Sequence, residues 1–296
     1  MKNPFRILCA VDASRPAAAA FEQALAMSVR RGAQLVLVHA VSKDRPYSWG
    51  AVERVSALEA LRKRAEAQNV SVRVRVQQGD AAGVILLHAR AHAPDLIVLG
   101  SHEPVGVARF RFRSIAERVV KGAACPVLLI PAAHTHATPA FSTVLCAIDF
   151  SRRSLGAIAN AARLAGGRGR LVLLHVLHAS VARHYAGFGV PVSQAMTRDT
   201  RQRLHSFVKA QNLQSDVLVT DSSNSVHDEI LRVASTIKAD LVVMGATRRA
   251  GLRRRLLGSI PMVVSRRSRL PVLIVPDVHV KRDLSTLDQA VLGWAA

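Results

Sequence analysis

The sequence predicts an α/β protein made of two repeated domains, each an open five-stranded parallel sheet with helices on both faces. Two observations carry this prediction. First, four apolar runs recur in the same order along the chain. Ile7-Leu8-Cys9-Ala10-Val11-Asp12-Ala13-Ser14 returns as Val144-Leu145-Cys146-Ala147-Ile148-Asp149-Phe150-Ser151, and Leu35-Val36-Leu37-Val38-His39 as Leu171-Val172-Leu173-Leu174-His175. Asp95-Leu96-Ile97-Val98-Leu99-Gly100 returns as Asp240-Leu241-Val242-Val243-Met244-Gly245, and Pro126-Val127-Leu128-Leu129-Ile130-Pro131 as Pro271-Val272-Leu273-Ile274-Val275-Pro276. Ordered self-similarity of this kind marks a duplicated unit. Second, each run is short and rich in Val, Ile and Leu, the pattern of a strand buried on both faces, and Ala-rich segments of helical spacing lie between the runs. Strands alternating with helices imply βαβ units, right-handed crossovers and a parallel sheet.

The remaining elements follow in order. Helices are expected over Ala17–Arg30, after a Ser14 cap, and over Leu155–Leu164, after Ser151. A weaker strand is expected at Val70–Gln77 and its repeat partner at Asp216–Thr220, followed by helices over Ala82–Ala91 and Val226–Ile237. The domains are placed at residues 1–132 and 143–277, with an aperiodic linker at 133–142 and a tail at 278–296 in which Leu284–Leu292 could add a short helix. Proline at both ends of each last strand suits an edge. Val127–Ile130 and Val272–Val275 are therefore expected to pair with each other within the chain, and a homodimer is a second way to cover such edges.

Composition narrows the function. Half of the 296 residues are hydrophobic, enough for two cores, which excludes a disordered chain. Cys9, Cys125 and Cys146 are three cysteines in strand-like runs, giving neither a disulfide framework nor zinc spacing. No secretory signal and no membrane-length apolar run is visible, so a soluble, cytoplasmic protein without a membrane partner is expected. With 41 basic and 20 acidic residues the formal net charge is +21, a surface that attracts polyanions.

In an open parallel sheet, ligands sit at the carboxyl ends of the strands. In the second copy Asp149 ends the first strand, His175-Val176 the second, and Gly245 the fourth, where it opens a loop through Ala246, Thr247 and Arg248 to Gly258, Ser259 and Ile260. Ser259 and Pro261 mark a helix start, whose free N–H groups attract phosphate; Gly258 allows close backbone approach and Ser259 adds a hydroxyl. The strand order, the Asp after an apolar strand and this loop resemble the universal stress protein family, once per half. Members that bind ATP carry Gly, two residues, Gly, nine residues, Gly and then Ser or Thr.

The resemblance implies a Rossmann-like fold of the adenine nucleotide alpha hydrolase type and a stress-response regulator that binds ATP or another adenine nucleotide. It implies that Asp149 and the backbone at Val176 face the adenosine, that Gly245 lies beside the ribose, and that Gly258 and Ser259 hold the phosphates. The second motif glycine is Arg248 here, which either crowds the phosphates or pairs with them. In the first copy Glu103 and Arg113 replace two glycines and only Gly100 and Ser114 remain, so that site is expected to be degenerate.

The alternatives are weighed on the same residues. Gly245 and Gly258 also serve as plain turn and helix-start residues, since fold analogy alone does not make a site. Eight arginines and no acids lie between Arg248 and Arg269, and the first copy has Arg109, Arg111, Arg113, Arg118 and Lys121 with Phe110 and Phe112 interleaved. A solvated basic loop beside an anion site is preferred to a nucleic-acid surface. The competing function is a non-nucleotide stress adaptor whose basic surface binds nucleic acid or acidic proteins. His88 and His92 share a helix face, but no third or fourth metal ligand accompanies them. There is no nucleophile elbow and no Walker lysine loop, so no catalytic residue and no enzyme is expected, slow ATP hydrolysis aside.

Overall fold

The computed structural model describes residues 4–12, 14–42, 51–101, 115–166, 169–178, 192–222, 225–246 and 259–276. The chain forms two compact units, Met1–Pro139 and Ala140–Ala296.

In the first unit the strands are β1 (Arg6–Ala10), β2 (Gln34–Val41), β3 (Val72–Gln78), β4 (Leu96–Ser101) and β5 (Val127–Pro131). They run parallel in the order β3-β2-β1-β4-β5. The helices are α1 (Arg15–Arg31), α2 (Ala51–Glu66), α3 (Ala81–His92) and α4 (Ile115–Gly122). Right-handed crossovers put α1 and α2, which step from β1 outward to β3, on one face, and α3 and α4, which step back, on the other. The central strands are buried on both sides, with Ile7, Leu8, Cys9, Leu35, Leu37, Ile97 and Val98 fully covered, as their unbroken apolar runs require.

The second unit repeats this plan. Its strands are β6 (Thr143–Ala147), β7 (Arg170–His178), β8 (Asp216–Ser222), β9 (Leu241–Gly245) and β10 (Val272–Val275), parallel in the order β8-β7-β6-β9-β10. Its helices are α5 (Arg152–Ala165), α6 (Val192–Ala210), α7 (Val226–Thr236) and α8 (Ser259–Arg267). The two-copy α/β fold expected from the repeat is thus the fold of the chain.

Local sequence explains the helix ends. Ser14 caps α1 by accepting from Ala17 N (3.3 Å), Pro16 sits in the first turn, and Gly32 closes the helix at φ 58°. Asp80 caps α3 from Gly83 N (2.8 Å), and Ser225 caps α7 from Asp228 N (3.3 Å). The cap expected at Ser151 departs from this scheme. Ser151 occupies the N-cap of α5 but its side chain makes no capping bond; its hydroxyl is turned to donate to Asp149 instead.

Three helices carry no strong sequence signal. In α2, Val52 and Val55 are 76% and 64% exposed while Leu58 and Ala65 are buried, so the apolar stripe is narrow. An ion-pair ladder, Arg62 to Glu59 (2.5 Å) and to Glu66 (2.7 Å), supports it instead. Among the described side chains of α6, only Leu204 and Phe207 are buried. The residues of α4 read in the sequence only as part of a basic stretch, yet they form a helix that buries Val119 and Val120.

Candidate functional site

The second unit brings its predicted residues to the carboxyl ends of three adjacent strands. Strand β6 is central: β7 lies on one side of it and β9 on the other, and the chain leaves β6 towards β7 through α5. This is the place where strand order reverses, the usual ligand crevice of an open α/β sheet. Ile148 N donates to Leu174 O (2.9 Å), which sets Asp149 level with His175 and Val176. On the other side Met244 is in register with Ala147, bringing Gly245 beside the same strand end. Ala246 is buried, its N–H donating to Val275 O (2.8 Å). Ser259 and Ile260 begin α8. Thr247, Arg248 and Gly258 lie outside the described residues, as do Ala13, Glu103, Arg113, Ser114 and the Leu284–Leu292 segment.

One expectation changes. Val176 does not end its strand: β7 continues to His178, paired through Val176–Thr220 and Leu177–Asp221 with β8. Val176 thus offers its backbone from within a strand that overhangs the end of β6.

Asp149 is exposed and firmly held. Its Oδ1 accepts from Ser151 N (3.1 Å), Ser151 Oγ (2.5 Å) and Ser154 Oγ (2.7 Å), while Asp149 N donates to Ser154 Oγ (3.0 Å). Ser154 is itself buried. The first copy is simpler, with Asp12 Oδ1 accepting from Ser14 N (2.8 Å). The Asp-x-Ser spacing was the available signal for this Asx turn; the added hold from Ser154 depends on the first turn of α5.

His39 and His175, equivalent in the repeat, share a role the sequence did not disclose. Each Nδ1 lies against the carbonyl of the residue before the aspartate, Val11 (2.8 Å) and Ile148 (3.0 Å) respectively. A carbonyl only accepts, so Nδ1 carries the proton and Nε2 is left as the acceptor of the neutral ring. Burial holds the His175 pKa below its usual value, against the opposing pull of the Ile148 carbonyl and Asp149. Phe150, at φ 57°, sets its ring edge-on to His175 with centroids 4.6 Å apart. A bulky residue in the left-handed region is strained by about 1–3 kcal/mol, and such strain clusters at binding sites.

Glycine at the end of the fourth strand has a packing reason in the first copy. A Cβ on Gly100 would stand 2.4 Å from the Pro16 carbonyl carbon and 2.7 Å from Ala17 N. Helix α1 therefore approaches β4 too closely for any side chain, and Gly100 persists although the loop beyond it has diverged. Part of the basic stretch is also spoken for. Arg118 forks onto Asp80 (2.5 and 2.6 Å), Lys121 Nζ pairs with Glu117 (2.5 Å), and Arg267 Nη1 pairs with Asp228 (2.6 Å). The Arg118 and Arg267 pairs tie α4 to α3 and α8 to α7. All three cysteines are buried free thiols, with burial pushing the Cys125 pKa up to about 12.

Comparison with known proteins agrees with this architecture. The Universal stress protein family matches twice, over residues 5–131 and over residues 140–276. Universal stress protein MJ0531 of Methanocaldococcus jannaschii is 37% identical over 78 residues, which are 26% of this chain and 46% of that protein, so the match spans less than half of that relative. Universal stress protein Rv1636 of Mycobacterium tuberculosis is 30% identical over 149 residues, 46% of this chain and 97% of that protein. A universal stress protein from Archaeoglobus fulgidus shares the fold with a TM-score of 0.70 at 19% identity, covering 92% of this chain and 96% of that one. Among the described residues no helix is long and apolar enough to cross a membrane. With a family match over each copy of its repeat, the chain belongs to the universal stress protein family.

Proposed function

We propose that the second unit binds ATP, or a related adenine nucleotide, and that the chain acts in the cytoplasm as a nucleotide-responsive regulator of the stress response, not as an enzyme. The observation that carries this reading is the fixed carboxylate of Asp149 at the reversal point of the strand order, level with the Val176 backbone and beside Gly245. In this reading Asp149 and the Val176 backbone face the adenosine, and Gly245 and Ala246 border the ribose. Thr247 and Arg248 lead into the loop, and Gly258, Ser259 and Ile260 hold the phosphates with the N–H groups that open α8. A binding site gains from a carboxylate whose rotamer is already set, because less freedom is lost when ligand arrives. The three buried thiols suit a reducing compartment.

The direct test is nucleotide analysis of the purified protein together with calorimetry against ATP. Co-purifying nucleotide or a saturable heat is expected; the absence of both would sink the reading. Gly258→Leu is expected to abolish binding, since a side chain there fills the space the phosphates need. Arg248→Gly decides between two roles: tighter binding means the arginine crowds the phosphates, and weaker binding means it pairs with them.

A further inference from the structure

Basic side chains gather in the first unit where β1 begins, along β3 and on α3. Arg6 opens β1, and Arg73 and Arg75 alternate along β3, so both arginines share one face of an edge strand. His88 and His92 stand one turn apart on α3, which crosses that face, with ring centroids 5.8 Å apart and planes inclined by only 9°. Arg6 Nη1 donates to the His92 carbonyl at the end of α3 (2.7 Å), and Arg75 Nη1 to Val74 O (3.0 Å). Buried His88 Nε2 has no hydrogen-bond partner. Arg73 is exposed and makes no ion pair among the described residues. Asp95 accepts from Arg6 N (2.8 Å), and its repeat equivalent Asp240 does the same for Ser142 N and Thr143 N.

The second copy serves as an internal control. Strand register and helix caps align these three arginines and two histidines with Thr143, Asp216, Leu218, Val233 and Ile237. One fold thus builds the same corner from mostly apolar residues, and the single arginine it carries there, Arg170, is neutralised by Asp216 (2.6 Å). In the first copy Asp216 is replaced by Arg73, so the concentration of charge is not a requirement of the fold.

We infer that the corner formed by Arg6, Arg73, Arg75, His88 and His92 is a binding site for a phosphate-bearing anion. Guanidinium forks match phosphate oxygens, and His88, within electrostatic reach of Arg75, keeps an unpartnered Nε2. Burial lowers both histidine pKa values; His92 and Arg75 lower that of His88 further, and Arg75, Arg73 and Arg6 that of His92. A bound anion relieves this crowding of positive charge.

The test uses the full-length protein carrying Gly258→Leu, so that the loop of the second unit does not contribute, and titrates it calorimetrically with pyrophosphate and separately with a short single-stranded oligonucleotide. Arg73→Ala, an exposed truncation, should weaken phosphate binding roughly tenfold or more, as expected for a lost hydrogen bond to a charged group. Arg73→Asp with Arg75→Leu, the residues used by the second copy, should abolish it while the circular dichroism spectrum is unchanged. Pyrophosphate should also move the His88 and His92 imidazole resonances towards the protonated form. Preference for the oligonucleotide through the same arginines would identify a phosphodiester as the source of the phosphate. No binding of either probe, or undiminished binding by both variants, overturns the inference.

Discussion

Ser154 holds Asp149 from two sides, donating to its carboxylate and accepting from its N–H. Ser154→Ala removes the buried hydroxyl that makes both bonds, one of them to a carboxylate, and is expected to cost about 1–3 kcal/mol in urea unfolding, together with a measurable loss of ATP affinity by calorimetry. A destabilised protein with unchanged affinity would separate the hold on Asp149 from binding. His175 sets a pH dependence of known sign. Its pKa is lowered on folding, so its contribution to stability is fully present above the unfolded value of about 6.5 and is lost as pH falls towards the folded value. His88 and His92 are shifted the same way, for burial and for the surrounding cations. Thermal melts should therefore show stability falling below about pH 6.5, with a shallower fall in His88→Val/His92→Ile. Gly100→Ala tests the close approach of α1: a methyl against the Pro16 and Ala17 backbone is expected to cost about 1–3 kcal/mol or more, read from the urea midpoint.

Among the elements, the ease of reading follows how burial is distributed. Strands β1, β2, β4 and their repeats are apolar on both faces, so each stands out as an unbroken run. Helices α2 and α6 bury a few side chains beneath long polar faces, and their sequences resemble solvated segments. Residues 134–138, aperiodic and read as linker, are held to α1 by one residue. Gln23, fully buried, donates from Nε2 to Thr138 O (2.7 Å) and accepts at Oε1 from Thr138 N (3.1 Å), with His134 Nε2 at 3.3 Å from Gln23 Oε1. Gln23→Ala should cost about 1–3 kcal/mol and speed hydrogen exchange at the Thr138 amide selectively. By contrast, Asp228→Asn at the half-exposed tie between α7 and α8 should leave the urea midpoint almost unchanged.

For the whole molecule, duplication means two cores and hence two unfolding equilibria. Residues 1–139 and 140–296, expressed separately, are each expected to melt cooperatively. ATP at about a hundred times its Kd should stabilise only the second fragment, by about 2.7 kcal/mol. Stabilisation of the first fragment instead would reverse the assignment of the nucleotide to the second copy. The repeat, the strand and helix types of the buried elements, and the position of Asp149 and Gly245 at strand ends were all determined by the sequence alone, because burial period and turn chemistry are local properties. Tertiary structure alone decided that Val176 lies inside an overhanging strand, that Ser154, Phe150 and His175 frame Asp149, and that Arg118 and Arg267 are committed to ion pairs. It also decided that Arg6, Arg73 and Arg75 meet the His88–His92 pair, of which the sequence disclosed only the pair. Each of these depends on side chains far apart in the chain converging through strand register and crossover, and neither composition nor periodicity encodes that convergence.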